Sequence, residues 1–136
     1  MEDVKIKLAV LWLIYAGTGF ASSILGIFEE GVLKEFLDTG EIEGMKVGPE
    51  MLLLFAILLL VPLVIAFLPL TLKDSTNRWT NIILGIVFAF LGLVGPIEYL
   101  AKQSAYSAYV TLIGIVGFVA AALIVWYAWK WPKPKA

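Results

Sequence analysis

Four long stretches of this chain carry no charge and little that is polar, and they constrain the fold more than any other feature. They run over residues 8–28, 51–72, 79–97 and 104–131, the last uncharged from Ser104 to Ala128. At 1.5 Å per residue, about 20 apolar residues cross a hydrocarbon core about 30 Å thick. No water in that layer can satisfy a backbone N–H or C=O, so each stretch must pair its own backbone groups and form a helix. Residues 1–136 are therefore expected to form one all-α domain: an antiparallel bundle of four transmembrane helices.

Composition supports this reading and removes several chemistries. The chain is 61% hydrophobic and 15% charged, where a soluble domain has about 45–50% and about 25%. Net charge is −1, so there is no basic face for nucleic acid. With no Cys and no His, there is no disulfide, thiol nucleophile or imidazole base, and the usual zinc and haem ligands are missing. No catalytic residue, metal or cofactor is expected.

Lys5 and Lys7 precede the first run, and Gly19-Phe20-Ala21 has the form of a cleavage site. The apolar run continues to Phe28, however, which suits a retained span. Orientation follows from the basic residues in the flanks. One side has Lys5, Lys7, Lys73, Arg78, Lys130, Lys133 and Lys135; the other has Lys34, Lys46 and Lys102. Seven against three places both termini in the cytoplasm of a multi-pass cell-membrane protein. The aromatics agree. Trp12, Trp79, Trp126, Trp129 and Trp131 fall near that side, and Tyr99, Tyr106 and Tyr109 near the other, as headgroup-level belts require.

The longest connection, Glu29 to Glu50, holds seven acids against two lysines. Within it Val32, Leu33, Phe36 and Leu37 make one apolar stripe, closed by Gly40. The spacing predicts a short amphipathic helix over 31–39, either a lid on the outer mouth or a surface connector.

Several groups of residues stand out within the spans. Gly19, Ser23 and Gly26, then Gly85, Ala89 and Gly92, then Gly114, Gly117 and Ala121 recur at helix-packing spacing. They fit packing inside the bundle, with a homodimer interface as the alternative. Pro62 and Pro69 are expected inside the second helix, each depriving the carbonyl four residues earlier of its partner and kinking the helix. Gly95-Pro96 is expected to interrupt the third helix. Beyond it Glu98 and Lys102 would pair on a continued turn, and Glu98 is the candidate ionisable membrane group. Tyr15, Thr18 and Ser22 share one face of the first helix and form the candidate ligand pocket.

The whole pattern resembles uncharacterised prokaryotic four-helix membrane proteins, loosely akin to the DoxX-like group. The likeness lies in Leu11-Trp12-Leu13-Ile14-Tyr15, Gly31 to Phe36, Thr39 to Gly44, Leu60-Val61-Pro62, Arg78-Trp79-Thr80-Asn81-Ile82-Ile83 and the closing Ile124 to Trp131. It implies the bundle but no established activity. It also implies an acid late in the first helix, where this chain reads Phe20-Ala21-Ser22-Ser23. Three functions follow for weighing. The first is binding of a lipid, small apolar ligand or membrane partner. The second is small-molecule transport or export, for which the first run lacks an embedded carboxylate. The third is an accessory-subunit role in a membrane oxidoreductase, by fold analogy alone.

Overall fold

A computed structural model describes residues 2–102 and 105–131. Ser104, where the fourth run begins, and the tail lysines Lys133 and Lys135 lie outside the described residues. The elements are helix α1 (Glu2–Ile27), helix α2 (Val32–Thr39), strands β1 (Glu41–Ile42) and β2 (Met45–Lys46), and helices α3 (Pro49–Ile65), α4 (Asp74–Lys102) and α5 (Ser107–Trp129). A 3-10 turn, Leu68–Leu70, follows α3. Four helical stretches are long and apolar enough to cross a membrane.

Two proline expectations need correction. Pro62 does lie inside α3, but that helix stops at Ile65, so Pro69 stands in the 3-10 turn beyond it. A 3-10 turn bonds i to i+3 and tolerates proline near its start, where no N–H is needed. Pro96, by contrast, does not end its helix: α4 runs unbroken through it to Lys102. Membrane-type helices keep an internal proline when neighbouring helices support the freed backbone. Here Gly114 of α5 sits against the Pro96 ring so closely that a β-carbon could not be added.

The connection between the second and third spans is short, which predicts that they pack side by side. The structure differs. α3 packs on α1, α1 on α5 and α5 on α4, while α3 and α4 barely touch; the 3-10 turn alone bridges them. The reason lies in the small residues. Gly85 faces Ile124 and Val125 of α5, Gly117 meets Thr18, and Gly19 meets Leu59 of α3. Backbones that approach this closely gain dispersion contacts that two Leu-covered faces cannot reach. α3 is nearly pure Leu, Ile and Val around most of its circumference, and it buries only Pro62 and Ile65.

The core is concentrated toward one end. Leu8, Trp12, Ile65, Ile82, Phe88, Ile124, Ala128 and Trp131 form it. The rings of Trp12, Tyr15 and Phe88 meet edge to face, with centroids 5.4–6.1 Å apart. Large apolar side chains elsewhere face outward on every long helix: Leu53 is 63% exposed, Phe90 70% and Leu112 65%. A water-soluble monomer does not carry apolar surface on this scale.

Candidate functional site

The bundle has two polar ends of different construction, with a cavity between them. At the tryptophan end, the Trp12 indole N–H donates to Asn81 Oδ1 at 2.8 Å. The Asn81 amide donates to the Asn77 carbonyl and to Asn77 Oδ1, both at 2.7 Å. Asn77 in turn donates to the Pro69 carbonyl at 2.7 Å. Trp12, Asn77 and Asn81 are fully buried. The chain of bonds ties α1, α4 and the 3-10 turn together. Arg78 adds a cap: its Nε and Nη2 donate to the carbonyls of Ala128 and Trp129 at the end of α5, where the last carbonyls lack helical partners. Its guanidinium also lies over the rings of Trp79 and Trp129. Lys5 pairs with Asp74 at 3.1 Å.

At the opposite end Glu29 follows the last turn of α1. Its Oε1 accepts from the hydroxyl of Tyr99 at 2.6 Å and from that of Tyr109. The neighbouring Glu30 N–H donates to the Tyr106 hydroxyl at 2.8 Å. Three tyrosines from the far part of the chain thus fasten the point where α1 gives way to the acidic connection.

That connection is folded. α2 is closed by Gly40 in the left-handed conformation, whose N–H bonds to Phe36. β1 and β2 then pair with Ile42 opposite Met45. The turn between them is Glu43-Gly44, with φ of 51° and 77°, the two-residue geometry that suits a right-twisted hairpin. Glu35 of α2 holds this turn, its two carboxylate oxygens accepting from the N–H groups of Glu43 and Gly44.

Between the two ends lies a cavity of about 390 Å³. Tyr15, Thr18 and Ser22 all line it, with Leu58 of α3, Gly92 and Pro96 of α4, and Gly114 and Gly117 of α5. Most of its wall comes from α1, α4 and α5, and α3 contributes Leu58 alone. Proline chemistry matters here. Pro62 cannot bond the Leu58 carbonyl, nor Pro96 the Gly92 carbonyl, and both of those residues line the cavity. The hydroxyls are engaged elsewhere as donors: Tyr15 to the Phe88 carbonyl at 2.6 Å, Thr18 to the Tyr15 carbonyl at 2.6 Å. The lining is therefore mostly apolar and richer in acceptors than in donors. The chain belongs to DUF6326, a family of unknown function, whose match covers residues 1–135. No curated protein and no solved structure matches it.

In this DUF6326 chain Glu98 and Lys102 stand away from the cavity. They pair at 2.7 Å on an exposed turn, each side chain about half exposed. Of the small residues, Gly19, Gly92, Gly114 and Gly117 line the cavity, whereas Gly85, Ala89 and Ala121 do not. Gly85 and Ala121 meet at the α4–α5 contact. Ser23 bonds back to Gly19, and Gly26 lies near the Tyr109 hydroxyl. No group of three acidic residues among those described could hold a metal.

Sequence reasoning missed Asn77, Glu29 and Glu43. Asn77 is in a charged, turn-like stretch, and nothing local marks it as buried. Glu29 had a signal: three tyrosines were assigned to its end of the bundle, but they were read as a headgroup belt.

Proposed function

We propose that this protein is an integral membrane protein that holds a lipid or a small apolar ligand between its helices. The observation that carries the reading is the cavity of about 390 Å³ walled by α1, α4 and α5, with Leu58 of α3 beside it. Ligand sites of a few hundred Å³ with a mainly apolar lining and few polar groups are the common form of small-molecule site. Two freed carbonyls and three hydroxyl-bearing side chains would orient whatever enters.

The supporting architecture is an up-down antiparallel bundle. Glu29 at the end of α1 reaches Tyr99 late in α4 and Tyr109 early in α5, and Arg78 early in α4 reaches the end of α5. The Lys and Arg distribution supports termini on the cytoplasmic side. α2 leaves Leu33 and Leu37 half or more exposed, which suits a helix lying in the outer headgroup layer. The likeness to DoxX-like proteins extends no further than the bundle.

The test is lipid retention. Protein purified in a mild detergent is expected to release co-purified lipid on organic extraction, measured by mass spectrometry. Ser22→Phe, which fills the cavity from α1, is expected to bring that lipid down to the level of an unrelated membrane protein. Equal amounts from both proteins would sink the reading.

A further inference from the structure

A second cavity, of about 450 Å³, lies under the folded connection at the Glu29 end. Ser22 lines both cavities, so the two are neighbours along α1. The outer cavity is apolar over most of its wall, with Phe55 and Met51 from α3 and Met45 from β2. Two carboxylate side chains, those of Glu29 and Glu43, also line it.

Three features of those carboxylates go together. Glu29 receives both phenol donors on Oε1, which leaves Oε2 without a donor among the described residues. Neither Glu29 nor Glu43 is in an ion pair among the described residues; the two ion pairs there are Lys5–Asp74 and Lys102–Glu98. Glu43 is also the one non-glycine residue among those described with positive φ. A glutamate in that conformation costs about 1 kcal/mol or more where Gly or Asn would cost less, yet Glu35 holds it there with two accepted bonds.

From this we infer that the two cavities together bind an amphiphile with a cationic ammonium head, the head against Glu29 and Glu43 and the alkyl tail past Ser22 toward Tyr15. The inference rests on the inner cavity being a ligand site and adds the class of ligand. Apart from the Ser22 hydroxyl, which can donate or accept, the polar groups along the route favour a donor. The carboxylates accept only, the Leu58 and Gly92 carbonyls accept only, and the Tyr15 and Thr18 hydroxyls already donate to backbone. An anionic or purely accepting head would meet unpaired acceptors in a low-dielectric wall, which is costly. An ammonium group supplies donors and charge at once, and the aromatic residues Tyr99 and Phe55 are also in the wall.

The probes are dodecylammonium and the uncharged dodecanol, titrated into the full-length protein in lipid nanodiscs with binding read by native mass spectrometry. Wild type is expected to bind the ammonium probe more tightly than the alcohol. Glu29→Gln keeps an acceptor for both tyrosines, so the fold is retained, and it is expected to weaken ammonium binding about tenfold or more while leaving the alcohol unchanged. Glu43→Gln is a second variant at a solvent-facing turn and should weaken the ammonium probe in the same sense. Glu30→Gln removes a nearby charge that does not line the cavity, and should leave both probes unchanged.

Equal loss for Glu30→Gln and Glu29→Gln would show general surface attraction and overturn the site. Unchanged ammonium binding in both cavity variants would also overturn it. If the alcohol binds and is displaced by Ser22→Phe while the ammonium shows no preference, the head assignment fails and the inner cavity stands. If neither probe responds to Ser22→Phe, the inner cavity reading fails as well.

Discussion

The two ends of the bundle solve the same problem with different chemistry. At the tryptophan end, neutral amides close a fully buried chain, in which the Trp12 indole and both side-chain amides find partners. At the Glu29 end, a carboxylate gathers two phenols at a half-buried site beside a cavity. A saturated neutral network in a low-dielectric interior fixes one geometry, because any displacement leaves a group unpaired. A carboxylate with acceptor capacity left over keeps affinity for something more. The first end therefore reads as structure and the second as a place for recognition.

Breaking the first end should give the largest effect. Asn81→Ala removes the acceptor of Trp12 and the donor to Asn77, and leaves a void beside the core. It is expected to cost about 2–4 kcal/mol, seen as a lowered midpoint of denaturant unfolding in micelles. A loss below the error of the measurement would mean that lipid or water replaces the network.

Next is the α4–α5 contact between the two ends. Gly114→Ala places a methyl group into the Pro96 ring, which cannot swing aside as a flexible side chain would. The cost should be about 1–2 kcal/mol, with Gly17→Ala, which has open space around it, as the neutral reference. Equal stability of the two variants would contradict the close α4–α5 approach.

The Glu29 end should respond less in stability and more in local motion. Tyr109→Phe removes one donor and is expected to cost about 1 kcal/mol, with faster amide exchange over residues 32–46. If exchange there is unaffected while the whole protein loosens, the tyrosines serve the bundle and not the folded connection. The smallest effect belongs to Glu98→Gln: an exposed pair of this kind should leave the thermal midpoint unchanged within error. The absence of native cysteine also makes sidedness direct to measure. A single Asp38→Cys or Ser75→Cys variant should label with an impermeant reagent from opposite faces of the membrane. Labelling from one face would break the proposed topology.

Of the five α-helices among the described residues, four are legible from hydropathy, and α2 from its stripe and Gly40. A helix in hydrocarbon is dictated by local composition, because backbone pairing there is satisfied within the segment. The Glu98–Lys102 pair was also legible, being i, i+4 on a helix. Helix ends were read less well. α4 runs from Asp74 to Lys102, past the expected 79–97 at both ends, since a helix can extend beyond the apolar run into the headgroup layer where polar side chains are welcome. α5, by contrast, ends at Trp129, two residues short of the expected 131. The hairpin was missed because Glu-Gly is a weak form of its turn signal, and the turn depends on Glu35, eight residues earlier.

What the sequence determined by itself is what depends on one segment at a time: which stretches are helical, how long they are, and which faces carry small or hydroxyl-bearing residues. Tertiary structure decided which helices are neighbours, and that Tyr15, Thr18 and Ser22 face a cavity walled also by α4 and α5. It also decided that Asn77 is buried and that Glu29 meets Tyr99 and Tyr109 across 70 and 80 residues. The physical reason is that hydropathy is summed along the chain, whereas close approach and hydrogen-bond closure arise between segments, and only the packed bundle brings those segments together.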